Sequence, residues 1–126
     1  MRRLLYPTVE EIIETNRRVL EIVVDKRDRH VVWNEGAISH AIAASKSLKG
    51  DVYDKAAVLL TELVQSHPFK SGNRRTATAV VADFLRANGE SFKGQGTAVL
   101  AGIRLGDFKR AEVKAWLKGI GYEKER

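Results

Sequence analysis

The sequence predicts an all-α fold, a compact bundle of about six helices forming a single domain over residues 1–126, and three observations carry that prediction. Apolar residues recur at intervals of three and four through most of the chain, the period of a helix with one buried face. Alternating, strand-like patterns are nearly absent. The periodic segments are separated by residues that stop helices: Gly50, Pro68, Asn88-Gly89 and Gly106.

Thr8-Val9-Glu10-Glu11 reads as the first helix start, with Thr8 as cap and Glu11 completing a capping box. Val9, Ile12, Ile13, Asn16, Val19, Leu20 and Val23 then mark one face of a helix running to about Val24. Asp25 to His30 is polar and reads as a loop. Val31-Val32-Trp33 is short and apolar and suits an extended piece. A second helix opens at Asn34 or Glu35, carries Ala37, Ile38, Ala41, Ile42 and Ala44 inward, and fades between Ser45 and Gly50. Asp51 caps a third helix, Val52 to Gln65, whose Ala56, Ala57, Leu59, Leu60, Leu63 and Val64 are dense enough to make it central; Pro68 stops it. A fourth helix, Thr76 to Ala87, buries Ala77, Val80, Val81, Phe84 and Leu85 and closes in a left-handed turn at Asn88-Gly89. The small residues Ala77, Ala79 and Ala82 suit a close approach of neighbouring helices. Thr97 is read as the cap of a short fifth helix to Leu105. A sixth begins at Lys109 or Arg110, with Ala111, Val113, Trp116, Leu117 and Ile120 inward, and Glu123 to Arg126 forms a charged tail.

The composition limits the chemistry. Cysteine is absent, which excludes disulfides, thiolate nucleophiles and thiolate zinc sites and fits a reducing compartment. No apolar run has the length of a signal peptide or a membrane span, so the expected location is the cytoplasm, with no membrane partner. The formal charge of +6 suits an acidic partner, but the basic residues are scattered over helix faces. Nucleic acid is therefore the weakest of the candidate ligands.

The chemistry concentrates between the third and fourth helices, in His67-Pro68-Phe69-Lys70-Ser71-Gly72-Asn73-Arg74-Arg75. A bend that opens a helix presents unpaired N–H groups and the positive end of the helix dipole. Gly72 lets backbone approach a ligand closely, and Arg74 and Arg75 add guanidinium donors. Together Ser71, Gly72, Asn73, Arg74 and Arg75 form a candidate phosphate site. His67, just upstream, is a candidate general base, since an imidazole near its reference pKa accepts a hydroxyl proton at neutral pH. Phe69 is read as a structural anchor pointing inward. His30 and His40 have no such context and are read as structural or exposed. The aromatics Phe92, Trp33 and Trp116 are read as core.

This stretch resembles the Fic/Doc motif, His-x-Phe-x-(Asp/Glu)-(Ala/Gly)-Asn-(Gly/Lys)-Arg, at His67, Phe69, Gly72, Asn73 and Arg75. The continuation Arg75-Thr76-Ala77 and Phe84-Leu85-Arg86-Ala87-Asn88-Gly89 is most similar to the Doc, or death-on-curing, branch. The resemblance implies an ATP-using transferase. His67 would be the base, Asn73 would position the phosphates and the loop, and Arg75 would neutralise charge in the transition state. It implies that Ser45–Asp51 corresponds in order to the flap on which family members dock target peptide. For the Doc branch it implies γ-phosphate transfer to a protein Ser or Thr hydroxyl, with an elongation factor as the suggested target and an antitoxin-like protein as inhibitor. No self-inhibiting Ser/Thr-x-x-x-Glu-(Gly/Asn) string is present.

Three positions depart from the family pattern. Arg74 stands where Doc has Lys and AMP-transferring members have Gly; like the Lys, it should obstruct the placement used for AMP transfer. Thr78 stands where many AMP-transferring members have a second Arg. Ser71 replaces the carboxylate that holds Mg²⁺, which leaves the metal ligand unknown. Three outcomes stay open: metal held mainly by the nucleotide, a carboxylate from elsewhere (Asp83 lies too far along its helix), or a site that binds nucleotide and reacts poorly. The alternatives to a Doc-like phosphotransferase are accordingly a nucleotidyl (AMP) transferase and a degenerate domain that binds nucleotide or protein without turnover.

Overall fold

The computed structural model of the chain describes residues 3–22 and 25–120. Among them lie six helices: α1 Val9–Ile22, α2 Glu35–Ser47, α3 Val52–Ser66, α4 Asn73–Ala87, α5 Ala98–Leu105 and α6 Arg110–Leu117. The fold is all-α, as the periodicity predicts. The expected end of α1 at Val24 and the tail from Glu123 fall outside the described residues.

The helix starts follow the local chemistry. At α1 the Thr8 N–H donates to Glu11 Oε1 and the Glu11 N–H to Thr8 Oγ1, closing the capping box. At α3 Asp51 and Asp54 do the same for each other. Asn34 caps α2 through the N–H of Ala37. Thr97 does hold the N-cap position of α5, but its side chain makes no cap hydrogen bond; its backbone is already near-helical, which removes the geometry a cap needs. At α6 the Glu112 carboxylate reaches back to the Lys109 N–H.

α3 is the hub. It packs against α2, α4, α5 and α6, while α1 lies against α4 and α2. Its Ala56, Ala57, Leu59 and Leu60 are fully buried, and one core cluster joins them to Ile12 of α1, Ile38 of α2, Phe84 and Leu85 of α4, Ile103 of α5 and Leu117 of α6. Polar ties fix the helix ends. Lys55 Nζ donates to the carbonyls of Ser45, Lys46 and Leu48, capping α2 from α3. Asn88, buried after α4, holds Leu5 through its N–H and C=O. Lys114 of α6 pairs with Asp51 and Asp54 at the start of α3.

Five residues read as packed need correction. Ala111 lies on the exposed face of the first turn of α6. Ile120 is exposed because α6 ends at Leu117 and Gly119 turns the chain away in a left-handed conformation. Trp33 is not core but 61 % exposed. Ala79 and Ala82 are not packed as deeply as Ala77: both line an open cleft.

Candidate functional site

α3 ends at His67, whose backbone is left-handed at φ 51 and ψ 58. It is the sole non-glycine residue with positive φ among the described residues. Pro68 and Phe69 then turn inward, both buried, and the chain re-emerges at Lys70. Phe69 is 1 % exposed, the anchor expected of it. Gly72, again left-handed at φ 74, forms the N-cap of α4. A Cβ there would sit 2.9 Å from Leu20 Cδ2, so both conformation and space call for glycine. No side chain caps α4. Its first N–H groups therefore lack both an intrahelical acceptor and a side-chain cap.

Asn73 holds this loop in shape. Its Oδ1 accepts from the Phe69 N–H at 2.9 Å and its Nδ2 donates to the Phe69 carbonyl at 2.7 Å. A buried amide thus closes the turn across four residues, and both of its polar atoms are engaged by backbone. Whatever Asn73 contributes to an anion comes through its main chain.

Two residues from other elements complete the loop, and sequence reasoning missed their part in it. Asn16 of α1, fully buried, donates from Nδ2 to the Ser71 carbonyl at 2.9 Å and to Thr76 Oγ1 at 3.0 Å, and its Oδ1 meets His30 Nδ1 at 2.7 Å. Asp28, in the turn between α1 and α2, pairs with Arg75 through Nη2 at 3.0 Å. The neighbouring Arg29 N–H donates to Ser71 Oγ at 3.3 Å. An asparagine in the apolar stripe of α1 was the available signal for the first; nothing local marks the second. His30 is exposed yet tied to the site through Asn16.

The segment after this turn runs along the loop. Val32 bridges Phe69 in antiparallel fashion, the Lys70 N–H donates to the Val31 carbonyl, and the Trp33 and Asn34 N–H groups converge on the Pro68 carbonyl. The extended piece anticipated at Val31–Trp33 is therefore real. The stretch that flanks the motif is this one and not Ser45–Asp51, which is occupied by the last turn of α2 and the cap of α3. Trp33 lies beside His67, with ring centroids 6.3 Å apart.

The sequence-predicted site residues come together. His67, Ser71, Gly72, Asn73, Arg74 and Arg75 all line one cleft of about 840 Å³, with Lys70 beside them. The floor is formed by Thr78, Ala79 and Ala82 of α4, and the far wall by Phe92, Gly94, Leu100 and Trp116. Phe92 and Trp116 meet edge to face at 5.3 Å, and Trp116 Nε1 is fixed to the Gln95 carbonyl. One end of the cleft is thus cationic and the other apolar and aromatic.

Burial, and then the charges of Arg104 and Arg74, hold the His67 pKa below the ordinary histidine value of 6.5. The imidazole is neutral at neutral pH, as a proton acceptor must be. Arg75 Nη1 is buried with no hydrogen-bond partner among the described residues. A guanidinium with a spare donor at a helix N-terminus matches a phosphate oxygen.

Magnesium fits less well. No Asp or Glu lines the cleft. Among the described residues no three His, Asp or Glu side chains are grouped to hold a metal. Ser71 Oγ already accepts one hydrogen bond, and Asp28 is committed to Arg75. A hard cation that favours carboxylate oxygens finds no such ligand on these walls.

The described helices and the turn at the start of α4 place the chain in a structural class, small all-α proteins with an uncapped helix N-terminus open to a cleft. The Fic/DOC family model matches residues 6–85, well over half of the 126-residue chain, and the chain belongs to the Fic/DOC family. A comparison with curated protein sequences gave no match. No helix among the described residues is long and apolar enough to cross a membrane.

Proposed function

We propose that this chain is a phosphotransferase of the Doc type, moving the γ-phosphoryl group of ATP to a Ser or Thr hydroxyl of a protein. The observation that carries the reading is convergence: His67, Arg74, Arg75 and the uncapped N-terminus of α4 face one cleft whose opposite wall is apolar. The phosphates would lie against the N–H groups of Ser71 to Arg74, and the nucleoside along Ala79, Ala82 and Trp116. The acceptor hydroxyl oxygen forms a bond to the γ-phosphorus while the bond from that phosphorus to the β,γ-bridging oxygen breaks. The hydroxyl proton passes to His67, and ADP leaves with the electron pair. Arg75 stabilises charge on the equatorial oxygens. Arg74 at the mouth supports phosphoryl over adenylyl transfer, on the resemblance set out above. An elongation factor as target, an antitoxin-like protein as regulator and a cytoplasmic setting belong to the same proposal and rest on that resemblance.

One observation favours a second reading, a family member that binds nucleotide or protein without turnover: the absence of any carboxylate on the cleft walls. The deciding experiment incubates the protein with cell extract and ATP labelled in either the α- or the γ-phosphate. Protein labelling from γ alone, lost in His67→Ala, is expected. Labelling from α would make it an AMP transferase. No labelling from either, with ATP binding intact, would establish the binding module.

A further inference from the structure

We infer that the phosphate site of this chain operates without a divalent metal, and that Lys70, Arg74 and Arg75 supply the charge a metal would bring. The inference rests on the proposed reading of the cleft as a nucleotide site and concerns which form of the nucleotide it takes.

The sixteen residues lining the cleft include three Lys or Arg side chains and His67, and no carboxylate. A divalent cation entering this space meets like charge and no ligand that would replace its water. Asp28, the carboxylate paired with Arg75 beside the loop, is not on the cleft wall. It holds Arg75 by Nη2 alone and leaves Nη1 of the same guanidinium buried and unpaired. Ser71 presents a hydroxyl that already accepts the Arg29 N–H. The same groups are well suited to a bare phosphate. The terminal phosphate of a nucleotide carries a charge of about −1.5 to −2 near neutral pH, and each bridging phosphate adds one more negative charge. Three cationic side chains and a helix N-terminus in one cleft answer that charge with hydrogen bonds as well as Coulomb attraction. Burial first, and then the charges of Arg104 and Arg74, push His67 toward its neutral form. The ligand selected is therefore a nucleotide or polyphosphate stripped of its metal. A metal-bound nucleotide has part of its charge already neutralised and gains less from these walls.

The test is calorimetric titration of the full chain with ATP, once in excess EDTA and once in excess magnesium chloride. Wild type is expected to bind in EDTA, and no more tightly when magnesium is present. Ser71→Asp places a carboxylate on the wall. It should weaken binding in EDTA by about tenfold, the equivalent of one lost charge-assisted contact, and magnesium should restore it. Wild-type binding that appears only with magnesium overturns the inference while leaving the proposed transferase standing. Equal ATP affinity of Ser71→Asp and wild type in EDTA overturns it as well, because wall charge would then not be what replaces the metal. No ATP binding under either condition removes both the inference and the reading of the cleft.

Discussion

At the scale of single residues, the proposed transfer assigns His67 the role of proton acceptor. A general base works only when neutral, so activity should rise with pH through the His67 pKa. Burial first, then Arg104 and Arg74, hold that pKa below 6.5, and the rise should lie correspondingly on the acid side of an ordinary histidine. Replacing Arg104 with Ala removes one of the two charges and should move the midpoint upward. A pH–rate profile, or NMR titration of the His67 ring, measures both; a midpoint unmoved by Arg104→Ala would show that Arg104 does not contribute and that burial and Arg74 set the value. Residues within the motif were legible in the sequence because their chemistry is local. Asn16 and Asp28 were not, since they reach the loop across 55 and 47 residues of chain, and no periodic pattern encodes a contact of that span. Their effect is to fix the Ser71 carbonyl and the Arg75 guanidinium, which the motif residues alone leave free to rotate.

At the scale of elements, the entry to α4 depends on a single amide. Asn73 satisfies both the N–H and the C=O of Phe69, a residue with almost no exposure. Asn73→Ala leaves two buried backbone groups unpaired, at about 1–3 kcal/mol each. The expected loss on urea denaturation is about 2–6 kcal/mol with an unchanged slope. Asn73→Asp keeps an acceptor for the Phe69 N–H but sets a buried carboxylate oxygen against the Phe69 carbonyl, so it should not restore the stability. A loss under about 1 kcal/mol for the alanine variant would mean that the loop finds other partners. The start of α4 at Asn73 shows why a pattern-based boundary falls late. Apolar periodicity begins only with Ala77, whereas the first turn is held by a hydrogen bond and a left-handed glycine. The same limit explains Thr97. A threonine before an apolar run is a good cap by type, but its backbone turned helical too early to act as one.

At the scale of the whole molecule, the order and approximate limits of the helices were readable, because each is specified by its own stripe and its own stop signals. Their arrangement was not. The cleft takes its cationic end from the α3–α4 turn, its floor from α4 and its apolar wall from Phe92, Leu100 and Trp116, which come from three later segments. Trp116 was correctly placed inward, but burial from the bulk and burial along a ligand cleft give the same sequence signal. Small residues at Ala79 and Ala82 likewise suit a helix contact or an open floor, and only the packing of α5 and α6 on α3 selects the second. The turn carrying Asp28 and the strand-like piece at Val32 depend on this assembly too, since both press on a loop that exists only once α3 and α4 are paired.

The left-handed backbone of His67 has a consequence for how this protein can change over time. Helices that end this way favour glycine, and an L-residue with a Cβ holds the conformation at a cost of roughly 1–2 kcal/mol. His67→Gly should therefore raise stability by about 1 kcal/mol. It would also remove the base that the proposed transfer needs. His67→Ala should lose the base and keep the backbone cost, so comparing the two variants in denaturation separates the terms. Equal stability of the two would mean that the surrounding loop already favours the left-handed form. If the difference appears, drift acting on the fold alone would replace this histidine with glycine, and its presence is explained by selection on chemistry.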